Sequence, residues 1–301
     1  MKDMEKTESG LSDKAPEITL SNDFAFKKVF GSPEHIDIAI DFVSTITGLS
    51  KNELANMQIV NTEISPRFAG EKSGRQDIKF LLQSGEKLSL EMQNVFFNQY
   101  PVRTIFYVAH EFIKNFHIGS LYEELKKCII ISVVNSSFKP SSKFHSIYKI
   151  MEVGEHTILD DKMELHFLDL TKINQQNMSQ AEKWGLFIQT TSNDVRARLA
   201  KENPYMEKAN QVLNTIFLSP EEREAYMQAL FATSDRVSMF EDGRKEGLEE
   251  GIEQGWQEGK QEGSYETKMQ TARNMLRLKL PIETIMEATG LKKSEITKLK
   301  E

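Results

Sequence analysis

Gln76-Asp77-Ile78-Lys79-Phe80-Leu81-Leu82-Gln83-Ser84-Gly85-Glu86-Lys87-Leu88-Ser89-Leu90-Glu91-Met92-Gln93 decides the fold. Two alternating segments, Gln76–Leu82 and Lys87–Gln93, flank a short polar stretch with a glycine, which is the signature of a β-hairpin. Ile78, Phe80 and Leu82 share one face of the first strand, and Leu88, Leu90 and Met92 share one face of the second. Residues directly opposite in an antiparallel pair point the same way, so matching the apolar faces requires paired numbers with an even sum. A three-residue loop, Gln83-Ser84-Gly85, satisfies this, with Gly85 in the left-handed position of a bulge turn. It pairs Ile78 with Leu90 and Asp77 with Glu91. A two-residue turn would send the apolar sets to opposite faces. Two carboxylates therefore stand side by side, with Gln93 and Lys79 on the same face.

The surroundings read as an α/β fold. Leu20 to Gly31 holds a helix with Ser21 or Asn22 as cap, Phe26, Val29 and Phe30 on one face, and Gly31 as stop. A second helix carries Ile36, Ile40, Phe42, Val43 and Ile46 and ends at Gly48. Ile59 to Ile64 is β-rich and stops before Pro66; a polar loop follows from Arg67 to Gly74. Pro101 opens a helix on which Val102, Ile105, Phe106, Ala109, Phe112, Ile113 and Phe116 recur at helical spacing, predicting that this side faces the core. Cys128-Ile-Ile-Ile-Ser-Val-Val134 is short, apolar throughout and β-branched, the pattern of a strand buried on both faces in mid-sheet. Strands are also expected at Ile147–Val153 and Met163–Leu170. The expected architecture is a mixed sheet flanked by helices, with a C-terminal helical extension. Its parts are a disordered N-terminus (1–17), a core (18–175), a helical extension (176–240), a glycine-repeat helix or linker (241–265) and a small helical tail (266–301).

Composition narrows the function. The chain has 301 residues and a formal net charge of −7, so it does not coat nucleic acid by bulk charge; contact with a polyanion needs a local patch or metal ions that offset carboxylates. One cysteine, Cys128, excludes a disulfide framework and a cysteine-cluster zinc site, and a reducing, cytoplasmic setting fits best. The chain lacks an 18-residue apolar run and an apolar leader segment, so neither a membrane span nor a signal peptide is expected. The histidines 110, 117, 145, 156 and 166 show no metal-ligand spacing, and Cys128 reads as inert core.

Two neighbouring acids repel unless a cation lies between them. Mg²⁺ suits them, since it takes one or two carboxylates plus water and substrate phosphate. It can polarise a phosphodiester for hydrolytic attack. The same spacing also suits a solvated polar face of a hairpin. Glu63, ending the preceding strand, is a candidate third acid. Arg103, Tyr107, His110 and Lys114 form a stripe beside the apolar side of their helix, and Arg103 and Tyr107 are candidates to hold a phosphate.

Asp77, a glycine-bearing hairpin and Glu91-Met92-Gln93 resemble the PD-(D/E)XK nuclease signature. Asn22-Asp-Phe-Ala-Phe-Lys-Lys-Val-Phe-Gly31, Leu90-Glu-Met-Gln93, Arg103 with Tyr107, and Gly119-Ser-Leu-Tyr-Glu-Glu-Leu125 before an isoleucine-rich strand resemble the recombination-promoting nuclease/transposase family of that superfamily, over about residues 18–175. The resemblance implies a restriction-endonuclease-like core of bacterial type and DNA cleavage dependent on Mg²⁺, with Mn²⁺ as a substitute. It assigns Asp77 and Glu91 as metal-binding acids, the Met92 carbonyl as a further ligand and Gln93 as the group that orients water. Two departures stand out: Gln76 replaces the usual proline, and Gln93 replaces the lysine that would bring positive charge to the transition state. Lys79, two residues past Asp77, is the candidate to supply that charge. The alternative is a nuclease-fold protein with little or no turnover that serves as a DNA- or protein-binding regulatory module.

Gly243, 247, 251, 255, 259 and 263 recur every fourth residue, and each costs about 1 kcal/mol against alanine inside a helix. Such a stripe lets a second helix approach closely, which makes self-association an expectation and assembly a third functional reading; a solvated helical linker accounts for it equally. Residues 241–265 hold three basic and eight acidic side chains, whereas 266–301 hold eight basic and five acidic. Ile285 to Ile296 resembles a helix-turn-helix, a pattern also met in helix pairs that only pack.

Overall fold

A computed structural model describes residues 18–61, 63–64, 74–75, 77–114 and 116–299, with backbone only at 63–64 and 74–75. The polar segment 1–17 and most of the Arg67–Gly74 loop lie outside the described residues. In chain order the elements are α1 (Asp23–Phe30), α2 (Ile36–Thr47), α3 (Lys51–Leu54), β1 (Gln58–Ile59), β2 (Glu63–Ile64), β3 (Gly74–Arg75), β4 (Ile78–Leu81), β5 (Lys87–Gln93), α4 (Tyr100–Ile113), β6 (Cys128–Val134), β7 (His145–Met151), β8 (Ile158–Asp169), α5 (Gln180–Gln189), α6 (Asn193–Ala200), α7 (Pro204–Thr215), α8 (Pro220–Arg277), α9 (Ile282–Thr289) and α10 (Lys293–Lys298). The chain divides into two units, Met1–Ser234 and Asp235–Glu301.

In the first unit the hairpin has the expected register. Ile78 faces Leu90 and Phe80 faces Leu88, and Gly85 takes φ +87°, a value that L side chains avoid. The six-stranded sheet runs β1-β4-β5-β6-β8-β7. β5, β6 and β8 are mutually parallel, and the outer pairings are antiparallel. β6 lies mid-sheet with every residue buried, as its unbroken apolar run predicts. Burial pushes the Cys128 thiol up to about 11, so it stays protonated and unreactive.

One face of the sheet, carrying Ile78, Phe80, Leu88, Leu90, Ile129, Ile131 and Val133, shares a core with α1, α2, α5 and α7. Phe30, Phe42 and Trp184 meet there at ring separations of 5.1–5.9 Å. Asp41 is buried beneath them and accepts hydrogen bonds from Trp184 Nε1 (3.1 Å) and Asn203 Nδ2 (2.9 Å) and pairs with Lys51 (2.6 Å), which satisfies its charge.

Two sequence expectations are corrected. The segment from Ile59 to Ile64 is not one strand. β1 pairs with β4 as far as Val60, whose N–H donates to Lys79 O at 2.9 Å, and leaves because β4 begins only at Ile78. β2 pairs instead with β3 in a separate ribbon, Glu63 opposite Arg75. The second correction is the rotation of α4. It buries Tyr100, Thr104, Val108, His110 and Glu111, while Val102, Ile105 and Ile113 are exposed. α4 covers the other face of the sheet, where Lys79, Ser89 and Glu91 alternate with the apolar set, so its polar residues are drawn inward to meet buried charge. Val108 still packs on Cys128 and Ile130, and Tyr100 on Val134 and Phe167.

A polar chain crosses β7 and β8. His166 Nε2 donates to Glu164 Oε1 (2.6 Å), and His166 Nδ1 shares a hydrogen bond with His145 Nε2 (2.9 Å), with His145 the donor when both rings are neutral. Burial, and then His166, push His145 down to about 4 from 6.5. The folded state thus binds fewer protons than the unfolded chain between those values. Stability is therefore full above pH 6.5 and falls as pH drops toward 4. Denaturant midpoints at pH 7 and pH 5 should differ, and His145→Gln, which keeps a donor toward His166, should shrink the difference.

In the second unit α9 and α10 join through Gly290 at φ +69°. Ala272, Ile285, Leu291 and Ile296 form its core, and Tyr265 donates to Glu295 at 2.9 Å. The six repeat glycines lie within α8, and beyond the adjoining turns of the helix itself no described atom comes within 4 Å of where a Cβ would sit. Leu248, Ile252 and Trp256 each follow a repeat glycine by one position and are exposed.

Candidate active site

The mouth of the hairpin gathers charge from three layers. β4 begins at Ile78, so the N–H of Met92, two residues past the Ile78–Leu90 pair, is taken up by a side chain: it donates to Asp77 Oδ2 at 2.9 Å. That bond fixes the Asp77 carboxylate beside Glu91, as the register requires. Its second oxygen, Oδ1, faces Lys27 Nζ of α1 at 3.1 Å.

α1 is held at this place by several contacts. Asn22 caps it, accepting from Phe24 and Ala25 N–H, and donates through Nδ2 to Tyr226 O at 3.1 Å. Lys28 pairs with Glu222. At its C-terminal end, a Cβ on Gly31 would lie 2.7 Å from Lys27 O and 3.3 Å from Ile78 Cγ1; the glycine allows the helix to close onto β4 one residue from Asp77.

Glu91 is 5 % exposed, and its Oε1 is buried without a hydrogen-bond partner among the described residues. Burial, and then the Asp77 carboxylate beside it, push Glu91 up to about 8, against the pull of Arg103 and Lys27. An orphaned buried carboxylate oxygen next to a second carboxylate is costly as it stands. A hard divalent cation would remove the cost, since oxygen donors are what such an ion takes. The residues therefore fit a metal ion. Among the described residues no group of three His, Cys, Asp or Glu side chains converges on one metal position, so the described protein supplies two acids, the other places being open to backbone, water or substrate. Glu63 lies in β2, opposite Arg75, which stands two positions before Asp77; its side chain is outside the described residues.

Gln93 sits two residues beyond Glu91 on the same strand face. Its Nε2 donates to Val95 O, and its Oε1 accepts from Arg103 Nη2 at 2.9 Å. Arg103 is ringed by Phe97, Tyr100 and Tyr107, with its guanidinium carbon 4.9–5.7 Å from the three ring centres, a cation–π arrangement that fixes its plane. Burial, and then Glu91, hold the Tyr100 hydroxyl above the ordinary tyrosine range. Tyr107 is only half-buried. Asp77, Glu91, Gln93, Arg103 and Tyr107 thus share one neighbourhood.

Lys79 is turned elsewhere. It is buried, and the ion pair it makes among the described residues is with Glu111 Oε2 of α4 at 2.5 Å. Lys87 and Lys114 stand 3.9 and 3.8 Å from the same carboxylate. Among the described residues the cation that meets Asp77 is Lys27, which sequence reasoning missed. Its signal was its place in the Asn22–Gly31 segment that carries part of the family resemblance, but adjacent Lys27 and Lys28 point to different partners, and only the packing of α1 tells which one reaches the acid.

A family model described as PD-(D/E)XK nuclease family transposase matches residues 20–243, from just before α1 to the first repeat glycine. No curated protein and no solved structure matches the chain.

Proposed function

Because the chain belongs to the PD-(D/E)XK nuclease family transposases, we propose that it is a Mg²⁺-dependent DNA endonuclease, of the kind that promotes recombination or element mobility, with Mn²⁺ able to substitute. The observation that carries this reading is the buried Glu91 oxygen, unpartnered among the described residues, beside the Asp77 carboxylate. Asp77, Glu91 and the Met92 carbonyl would hold the ion, with Glu63 as a further acid. When bound, such an ion polarises the phosphodiester and lowers the pKa of water for in-line attack. Gln93, steadied by Arg103, orients the attacking water. Arg103 and Tyr107, at the rim, bind a substrate phosphate, the Arg by charge-assisted hydrogen bonds.

Supercoiled plasmid incubated with purified protein and Mg²⁺ should be nicked or linearised, and EDTA should prevent this. Plasmid that stays intact with Mg²⁺ or Mn²⁺ would sink the assignment. A second reading is favoured by one observation: both amide atoms of Gln93 are already bonded within the protein. In it the fold binds DNA or a protein partner with little turnover, and the same experiment would return retarded but uncut DNA.

The reading extends to assembly. The glycine face of α8, with exposed Leu248, Ile252 and Trp256 beside it, is our candidate for self-association. No described helix is long and apolar enough to cross a membrane.

A further inference from the structure

The nuclease reading leaves a gap: with glutamine at position 93 and Lys79 paired to Glu111, neither expected lysine brings positive charge to the acid pair. Resting on that reading, we propose that Lys27 is the basic residue of the site. Its ammonium holds the cation position of Asp77 in the metal-free protein, is displaced when a divalent ion binds, and then faces the substrate phosphate.

Asp77 has two oxygens with different fates. Oδ2 is committed to the Met92 N–H, a bond that closes the end of the sheet ladder. Oδ1 is the oxygen left for an ion, and Lys27 Nζ stands 3.1 Å from it. An ammonium and a divalent ion cannot both occupy the near side of one carboxylate oxygen without strong repulsion. Lys27 therefore competes with metal for Asp77.

Among the described cations near the acid pair, Lys27 is also the one placed to move. Its side chain is 42 % exposed, against 6 % for Lys79, and a flexible four-carbon stem lets a lysine swing between partners at small cost. Arg103 is the opposite case, locked by Gln93 and three aromatic rings. The helix that carries Lys27 is itself fixed, by the Asn22 cap, the Lys28–Glu222 pair and the glycine contact of Gly31 with Ile78. A mobile charge on an immobile base is what a competitor that later turns to substrate requires.

The test uses the full chain and two substitutions, Lys27→Met and Lys27→Arg, with two readouts. Mn²⁺ affinity is measured on DNA-free protein by electron paramagnetic resonance, and single-turnover cleavage is measured at saturating Mn²⁺. Lys27→Met should bind Mn²⁺ about five- to tenfold more tightly, because the competing charge is gone, and should cleave roughly a hundredfold more slowly, because a preorganised positive group is lost from the transition state. Lys27→Arg should keep near wild-type affinity and recover part of the rate. A residue that merely steadies the fold would lower both quantities together. Unchanged or weaker Mn²⁺ binding by Lys27→Met overturns the proposal, as does an unchanged rate at saturation. If the wild type gives no product, the nuclease reading fails, and the Mn²⁺ affinities alone still decide whether Lys27 occupies the ion's place at Asp77.

Discussion

Asp77→Ala is expected to abolish plasmid cleavage, by a hundredfold or more, while the circular dichroism spectrum stays native. On the proposed mechanism the loss follows from taking away one of the two acids that would hold the ion, whose electrostatic contribution is worth several kcal/mol, each 1.36 kcal/mol being about tenfold in rate. The structural cost is small by comparison. Among the described residues Asp77 accepts one backbone hydrogen bond, from Met92 N, and pairs with the half-exposed Lys27; its side chain is 19 % exposed, so water can replace the hydrogen bond at about 1 kcal/mol. Asp77→Asn separates the two roles. It keeps an oxygen for the Met92 N–H but removes the charge, and should fold as well as the wild type and still fail to cut. Cleavage by either variant at the wild-type rate would show that the acid pair is not the reaction centre.

Lys79→Met should be the most destabilising single change near the site, and it should act on stability and not on rate. Lys79 and Glu111 are 4 % and 2 % exposed and pair at 2.5 Å. Burial by itself lowers the lysine's pKa, and the Glu111 carboxylate only partly restores it, so each charge depends on the other. Removing one partner of such a pair leaves an uncompensated buried charge, a cost of about 3–5 kcal/mol; the lower end applies here because Lys87 and Lys114 remain within 4 Å of Glu111. Adding Glu111→Leu should recover most of the loss, since an apolar pair of similar volume replaces a buried ion pair at little cost. Urea midpoints for the single and double variants measure this. Cleavage per folded molecule should match the wild type, and a hundredfold fall in it would return Lys79 to the chemistry.

How much of this was legible in advance depends on whether the deciding forces were local. The hairpin register was, because the alternation of Ile78, Phe80 and Leu82 against Leu88, Leu90 and Met92, with one glycine between, leaves a single pairing that keeps both apolar sets on the core side. β6 was legible because no polar residue but Ser132 interrupts it, and α1 because Asn22 and Gly31 punctuate both ends. What failed was set by distant neighbours. The face of α4 turned inward is chosen by the buried charges of β4 and β5, which reward Glu111 more than they penalise exposed Val102 and Ile105. Lys79 could be placed beside Asp77 by strand alternation, but its partner lies 32 positions later on another element. Lys27 and the split of β1 from β2 likewise depend on how one element docks against the next.

The single thiol of the protein has a use that its burial confers. Cys128 lies in the strand hemmed in by β5 and β8, where alkylating reagents meet neither thiolate nor open surface. Its modification must wait until the middle of the sheet parts, an event as rare as the most protected openings of a domain. The chain thus carries its own clock for the survival of the sheet, one that runs without a dye or a tag.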